Sequence, residues 1–181
     1  MIILLIRIFL IFFLFFIAIL VALFVVFEGY MVLTPSLKGA PFLPSSRKKI
    51  KTMIALADLK ADDIAVDLGS GNGVLIAAAA ACGARAIGVE VNPFLVYYSR
   101  WRIKKQNFGD RARIVKEDLR TYPLGHATII FFYLMPDIVD FLRVRFEKEL
   151  KSGTRIISNT FPIPGWTPER VENKIYVYVK K

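Results

Sequence analysis

The pattern of hydrophobic and polar positions changes character along the chain. From Ile8 to Phe27 twenty consecutive positions carry no polar side chain, and at about 1.5 Å per residue such a helix crosses the roughly 30 Å hydrocarbon core of a bilayer. A buried core helix or a cleaved signal peptide would share that composition, but a signal core is about 7–15 residues long and ends in a small-x-small site. Glu28, Gly29 and Tyr30 follow instead. Residues 1–28 are therefore expected to form an uncleaved signal-anchor helix. Residues 29–46, GYMVLTPSLKGAPFLPSS, hold three of the nine prolines and no clear period, which predicts an ordered connector and substrate-side loop.

From 47 to 181 the pattern is that of one domain. Ser45 or Ser46 can cap a helix running to about Leu59. Short β-branched runs then alternate with helical stretches. The runs are IAVDL (64–68), AIGVE (86–90), ARIV (112–115), TIIFFY (128–133) and TRIISN (154–159); the helices are expected at 74–82, 93–107 and 137–150. This βαβ alternation predicts an α/β fold whose mostly parallel sheet carries helices on both faces. The last run, KIYVYVKK after Asn173, leaves little room for a crossover helix and should pair antiparallel near the sheet edge.

Charge and cysteine content narrow the classes. Outside the first 27 residues, 39 of 154 positions are charged, the quarter expected of a globular domain. Lys and Arg outnumber Asp and Glu by 25 to 15, which favours an anionic neighbour without choosing among lipid, nucleic acid and acidic protein. Only Arg7 precedes the apolar run, whereas Lys38, Arg47, Lys48, Lys49 and Lys51 follow it, so the domain is expected on the cytoplasmic side of a single-pass membrane protein. Cys82 and His126 are each the sole residue of their kind; they form no internal disulfide and no Cys/His zinc site, and no metal is expected. Cys82 is expected to be a small buried thiol, and His126 a loop residue after Gly125. The basic stretch Arg100, Arg102, Lys104 and Lys105 reads as a solvated helix face.

The strongest chemical signal is VDLGSGNG, Val66 to Gly73, placed where a strand turns into a helix. Gly69, Gly71 and Gly73 allow a tight turn and close approach of backbone to ligand, and the next helix offers free N–H groups. Glu90, 17 residues past Gly73, sits where an acid accepts from both hydroxyls of a ribose. A dinucleotide fingerprint starting at Gly69 would need glycine where Val74 stands. Asp67, just ahead of the loop, would repel a pyrophosphate and attract a cation. S-adenosylmethionine, with a sulfonium and an ammonium and no phosphate, fits better than a nicotinamide cofactor. Asp118, in IVKEDL, is placed to accept from the adenine amino group, with Leu119 beside the ring. A bare strand-to-helix turn with a solvated acidic rim is the alternative explanation of the same residues.

VDLGSGNG resembles motif I of the class I, seven-strand methyltransferases, EVNP (90–93) their second motif and KED (116–118) their third. More narrowly, PFLPSSRK, GVEVNPFLVYYSRWR, FEKELKSGTRIIS and FPIPGWTPERV resemble a family of protein-lysine N-methyltransferases. That family has archaeal soluble members and membrane-anchored mitochondrial ones. The resemblance covers about residues 36–179. It implies a Rossmann-like, doubly wound, mostly parallel seven-stranded sheet with an antiparallel C-terminal edge strand. It also implies methyl transfer from S-adenosylmethionine to a lysine ε-amine. Asp67, Glu90 and Asp118 carry over as cofactor ligands, with Gly69, Ser70, Gly71, Gly73, Val91, Asn92 and Leu119 as their cofactor-binding neighbours.

Substrate chemistry is weighed at the end of the fourth strand. Base N-methyltransferases resemble one another in an Asn/Asp-Pro-Pro-Tyr turn there; Phe132-Tyr133-Leu134-Met135-Pro136 offers no such acceptor, so nucleic acid is disfavoured. Transfer to an amine needs alignment, desolvation and a neutral nucleophile more than a dedicated base. An aromatic channel supplies those conditions, since lysine's reference pKa is near 10.4 and an apolar setting favours its neutral form. Phe42, Pro44, Phe132, Phe161 and Trp166 are the candidate walls, and Tyr133 the candidate catalytic residue, its hydroxyl orienting the amine. Core packing is the competing explanation for each of these aromatic residues. The expected partner beyond the bilayer (residues 8–27) is a protein substrate, such as a membrane protein; a lipid or small-molecule methyltransferase is the alternative.

Overall fold

The computed structural model describes the backbone of residues 2–38 and 45–181, and side chains from 6–30 and 45–181. The chain divides into two compact units, Met1–Leu37 and Lys38–Lys181. The first is a single helix, α1 (Ile2–Lys38). Every side chain from Ile6 to Tyr30 is exposed, and those 25 residues are long and apolar enough to cross a membrane. A helix apolar all round, with no polar face to give water, suits a hydrocarbon setting. The helix continues through Gly29–Lys38, where the sequence suggests an ordered connector and not a helix. Propagation along Tyr-Met-Val-Leu adds one hydrogen bond per residue, so a helix already formed extends beyond the point where periodicity fades.

The second unit runs α2 (Arg47–Ala57), β1 (Ile64–Leu68), α3 (Val74–Ala81), β2 (Arg85–Glu90), α4 (Pro93–Lys105), β3 (Ala112–Lys116), β4 (Ile129–Phe132), α5 (Pro136–Glu149), β5 (Arg155–Asn159), β6 (Arg170–Glu172) and β7 (Ile175–Val179). The strands form one seven-stranded sheet in the order β3-β2-β1-β4-β5-β7-β6. β1 to β5 are parallel, and β7 is antiparallel to both β5 and β6. Strand alternation separates two cores. Ala65, Ala86, Ile129, Phe131 and Ile157 face α2, α3 and α4. Val66, Leu68, Ile130, Phe132 and Ile156 face α5.

The antiparallel edge of the sheet is a hairpin of two strands. The KIYVYVKK segment pairs antiparallel, as its short connection requires, but it is second from the edge; the edge is β6. Asn173 and Lys174 have φ of 52° and 59°, the left-handed pair of a two-residue hairpin turn. Arg170–Glu172, only three residues long and exposed, gave no alternating signal by which to find it.

The N-terminal ends of the strands are tied by a buried clamp. Arg155 donates through Nη2 to both Asp63 oxygens at 2.7 Å, and through Nη1 to the carbonyls of Ala57 and Asp58. Thr128 Oγ1 donates to Asp63 Oδ1 at 2.7 Å and accepts from Ile64 N at 2.9 Å. Three strands and the end of α2 thereby meet on one carboxylate. Strand order reverses between β1 and β4, which opens a crevice at the opposite, C-terminal ends of those strands.

Candidate active site

At that crevice the chain leaves β1 through Gly69, Gly71 and Gly73, whose φ values of 78°, 53° and 72° are left-handed. Space is also closed at Gly73 and tight at Gly69. A Cβ on Gly73 would lie 2.7 Å from Ser99 Cβ on α4. A Cβ on Gly69 would lie 3.3 Å from Leu134 Cδ2 and 4.0 Å from Leu119 Cδ2. The loop is pinned to β2, with Gly69 N and Ser70 N both donating to Val89 O at 2.9 and 3.0 Å.

Glu90 closes the other side. Its Oε2 accepts from Gly71 N at 2.9 Å, and its Oε1 from Val91 N at 2.9 Å and Asn92 N at 2.8 Å. Three amides hold this carboxylate, and Oε2, which accepts from only one of them, retains acceptor capacity. Asn92 serves a local purpose as well, capping α4 by accepting from Phe94 N and Leu95 N. Glu117 N donates to Glu90 O at 3.2 Å and holds the KED segment against the end of β2. The Asp118 carboxylate, one-third exposed, accepts from Arg120 N.

Asp67 is the electrostatic anomaly. It is 6% exposed, and among the described residues no hydrogen bond or ion pair reaches its carboxylate. Burial first, then the charge of Glu90, push its pKa up to about 8. Ser70 Oγ is likewise buried without a hydrogen-bond partner among the described residues. A buried carboxylate and hydroxyl left unsatisfied cost folding free energy unless a ligand completes them. Two acids side by side suit a cation. The donor set thus fits S-adenosylmethionine, whose ammonium and ribose hydroxyls are what such groups bind; it does not fit a phosphate.

Beyond the acids the crevice has an aromatic lip. Tyr133 follows β4 on the same side of the sheet as Phe131, the cross-strand partner of Asp67. Its ring stacks on Phe161, with centroids 6.5 Å apart and planes at 21°. Ser158 Oγ donates to Phe161 O and fixes that turn. Next to it Lys49 Nζ donates to Asn159 Oδ1 at 2.7 Å and Thr160 Oγ1 at 3.0 Å. Burial, then Lys174, pull the Lys49 pKa down.

Not every expected wall belongs to this lip. Phe132 is fully buried against Phe146 on the α5 side, because β alternation turns it away from Asp67. Trp166 packs edge-on against Tyr178 and reaches Glu147 of α5, also on the far side. Phe42 and Pro44 lie outside the described residues. Cys82 is exposed, against the expectation of a buried thiol. It caps the C-terminal end of α3, at the end of the sheet away from the glycine loop, where the helix emerges from its packing. His126 pairs with Tyr122 at 3.3 Å in the loop before β4. Leu134, Asn159 and Lys49 are the neighbours that sequence reasoning missed. In the sequence Leu134 is only part of a turn, and Lys49 only a flanking cation.

Comparison with known proteins completes the assignment. The ANTKMT methyltransferase domain family matches residues 67–170. A protein-lysine N-methyltransferase of Saccharolobus islandicus (strain REY15A) is 34% identical over 149 residues, covering 77% of this chain and 92% of that protein. The chain belongs to this family of protein-lysine N-methyltransferases. The adenine nucleotide translocase lysine N-methyltransferase of Mus musculus is 30% identical over 132 residues, covering 72% of this chain and 57% of that protein. The crystal structure of an RNA methyltransferase from Salinibacter ruber with S-adenosyl-L-homocysteine superposes with a TM-score of 0.73 and 30% identity, covering 76% of this chain and 93% of that one. The protein is an S-adenosylmethionine-dependent methyltransferase of class I fold.

Proposed function

We propose that this methyltransferase modifies the ε-amine of a lysine in a protein substrate, acting from a membrane tether with its domain on the cytoplasmic side. The observation that carries the reading is 34% identity across nearly all of the archaeal protein-lysine N-methyltransferase. The resemblance to the mouse enzyme named for the adenine nucleotide translocase supports it. The apolar helix and the cations that follow it support the tether and its orientation. A tethered domain meets membrane proteins at high effective concentration.

In this proposal Asp67 holds the cofactor ammonium, Glu90 accepts from the ribose hydroxyls, and Asp118 accepts from the adenine amino group. Leu119 and Leu134 lie beside the ring, and Ser70 Oγ gains a polar partner. When bound, S-adenosylmethionine supplies an electrophilic methyl group on a sulfonium. Tyr133 and Phe161 strip water from the incoming lysine and favour its neutral amine. The Tyr133 hydroxyl orients the nitrogen lone pair. A neutral, aligned amine would thereby meet the methyl donor held by Asp67, Glu90 and Asp118. No side-chain base is required for the transfer itself.

The 30% identity with the Salinibacter RNA methyltransferase gives RNA a place as the second reading. Purified full-length protein, incubated with methyl-labelled S-adenosylmethionine and membrane extract, should label protein, with methyl-lysine recovered after acid hydrolysis. Label confined to RNA or to the lipid phase would overturn the lysine assignment.

A further inference from the structure

We propose that the solvent-facing side of α4 is a second membrane contact, which seats the catalytic domain on an anionic bilayer surface. Leu95, Val96, Ser99 and Ile103 bury one side of this helix. The opposite side carries Tyr97, 74% exposed, Tyr98, 38%, and Trp101, 49%. Such rings normally lie in protein or at a boundary between apolar and aqueous phases. They are interleaved with cations. Lys105 Nζ stands 4.9 Å from the Trp101 ring centre, and the Arg102 guanidinium 5.2 Å from that of Tyr98. Lys104 is exposed beside them, and α4 contains no acidic residue.

Charge complementarity selects the occupant. An aromatic row set among cations without a carboxylate matches the headgroup layer of an anionic leaflet, where Trp and Tyr lie at the interface while Lys and Arg reach the phosphates. Between α4 and β3 one of these cations, Lys104, joins Arg100 and Arg113 along an open groove of about 570 Å³, where they outnumber Asp110. α4 also begins just past Glu90, after Val91 and Asn92, so docking it would bring the cofactor end of the sheet towards the membrane. The inference rests on the tethered reading above and adds to it a contact made by the domain itself.

The test uses the full chain with Trp166→Phe, which leaves Trp101 as its one tryptophan, reconstituted in nanodiscs of phosphatidylcholine and phosphatidylglycerol with brominated acyl chains. Co-elution with the discs reads the tether, and Trp101 quenching reads the docking. The expected result is at least about twofold quenching in anionic discs, reduced by roughly half in Lys104→Glu/Lys105→Glu and at about 0.5 M salt. Co-elution with no Trp101 quenching overturns the docking and leaves the tether; loss of both overturns both. Quenching that is indifferent to lipid charge, or a Trp101 emission shift produced by an RNA oligonucleotide and not by discs, also overturns it.

Discussion

Asp63 and Asp67 stand at the two ends of one strand, 5% and 6% exposed, and their surroundings are opposite. Burial pushes Asp63 up, but hydrogen bonds from Thr128, Arg155 and Lys60 N together with the Arg155 charge outweigh it, and its pKa falls below the usual carboxylate value. Burial acts on Asp67 with no such partner and Glu90 adds a like charge, so its pKa rises to about 8. The same residue type, equally buried, is a structural tie at one end of β1 and a carboxyl without a counter-charge at the other. What differs is whether the fold itself supplies the counter-charge. In an α/β sheet the N-terminal strand ends are free to be completed by protein, while the C-terminal crevice is left for a ligand.

The comparison breaks most sharply on function. Asp67→Asn should lower methyl transfer at least about 100-fold through lost cofactor binding, read by calorimetric titration with S-adenosylhomocysteine and by turnover. The same change should stabilise the cofactor-free protein. A carboxyl whose folded pKa is raised contributes stability that is present below its unfolded value of 3.8 and lost as pH rises towards about 8. The melting temperature of Asp67→Asn should therefore exceed that of the parent by roughly 2–4 °C at pH 8 and converge with it near pH 4. Equal binding by the variant would remove Asp67 from the site.

Asp63→Ala should do the reverse. It strands the Arg155 guanidinium and should cost about 3–5 kcal/mol, measured by urea denaturation, while S-adenosylhomocysteine affinity at low urea stays within about twofold. Because the folded Asp63 pKa is lowered, its contribution is present above the unfolded value and lost as pH falls through the folded one. The parent should accordingly lose stability in acid more steeply than Asp63→Asn. Gly73→Ala combines a left-handed φ of 72° with a 2.7 Å approach to Ser99. It should cost about 1–3 kcal/mol and weaken cofactor binding, since it separates α3 from α4. The smallest effect is expected at the lip. Tyr133→Phe should lower kcat about tenfold with the cofactor KM unchanged; a change in cofactor KM alone would move Tyr133 out of the substrate side.

Much of this was legible along the chain, for a physical reason. The glycine loop, Glu90 and Asp118 follow strands, and strand ends are marked locally by β-branched runs giving way to Gly and acid. The misplaced aromatic residues share one cause. Phe132 and Tyr133 are adjacent in sequence and on opposite sides of the sheet; Trp166, half-buried, packs on Tyr178 and reaches α5. The side of the sheet on which each aromatic residue packs depends on strand parity and on distant partners. The β6–β7 hairpin escaped because three exposed residues carry no alternation, although the Asn173-Lys174 turn that makes it was a usable sign.

By itself the sequence determined the apolar helix, the parallel α/β order and the cofactor class, because each is written in contiguous residues whose periodicity or spacing acts locally. Tertiary structure decided that Asp63 is satisfied and Asp67 is not, that Leu134 packs near Gly69 and Phe161 on Tyr133 while Phe132 and Trp166 pack on the α5 side, and that the aromatic rings of α4 face outward. Those are properties of which surfaces meet, and burial and counter-charge come from residues such as Thr128 and Arg155, more than sixty positions away along the chain.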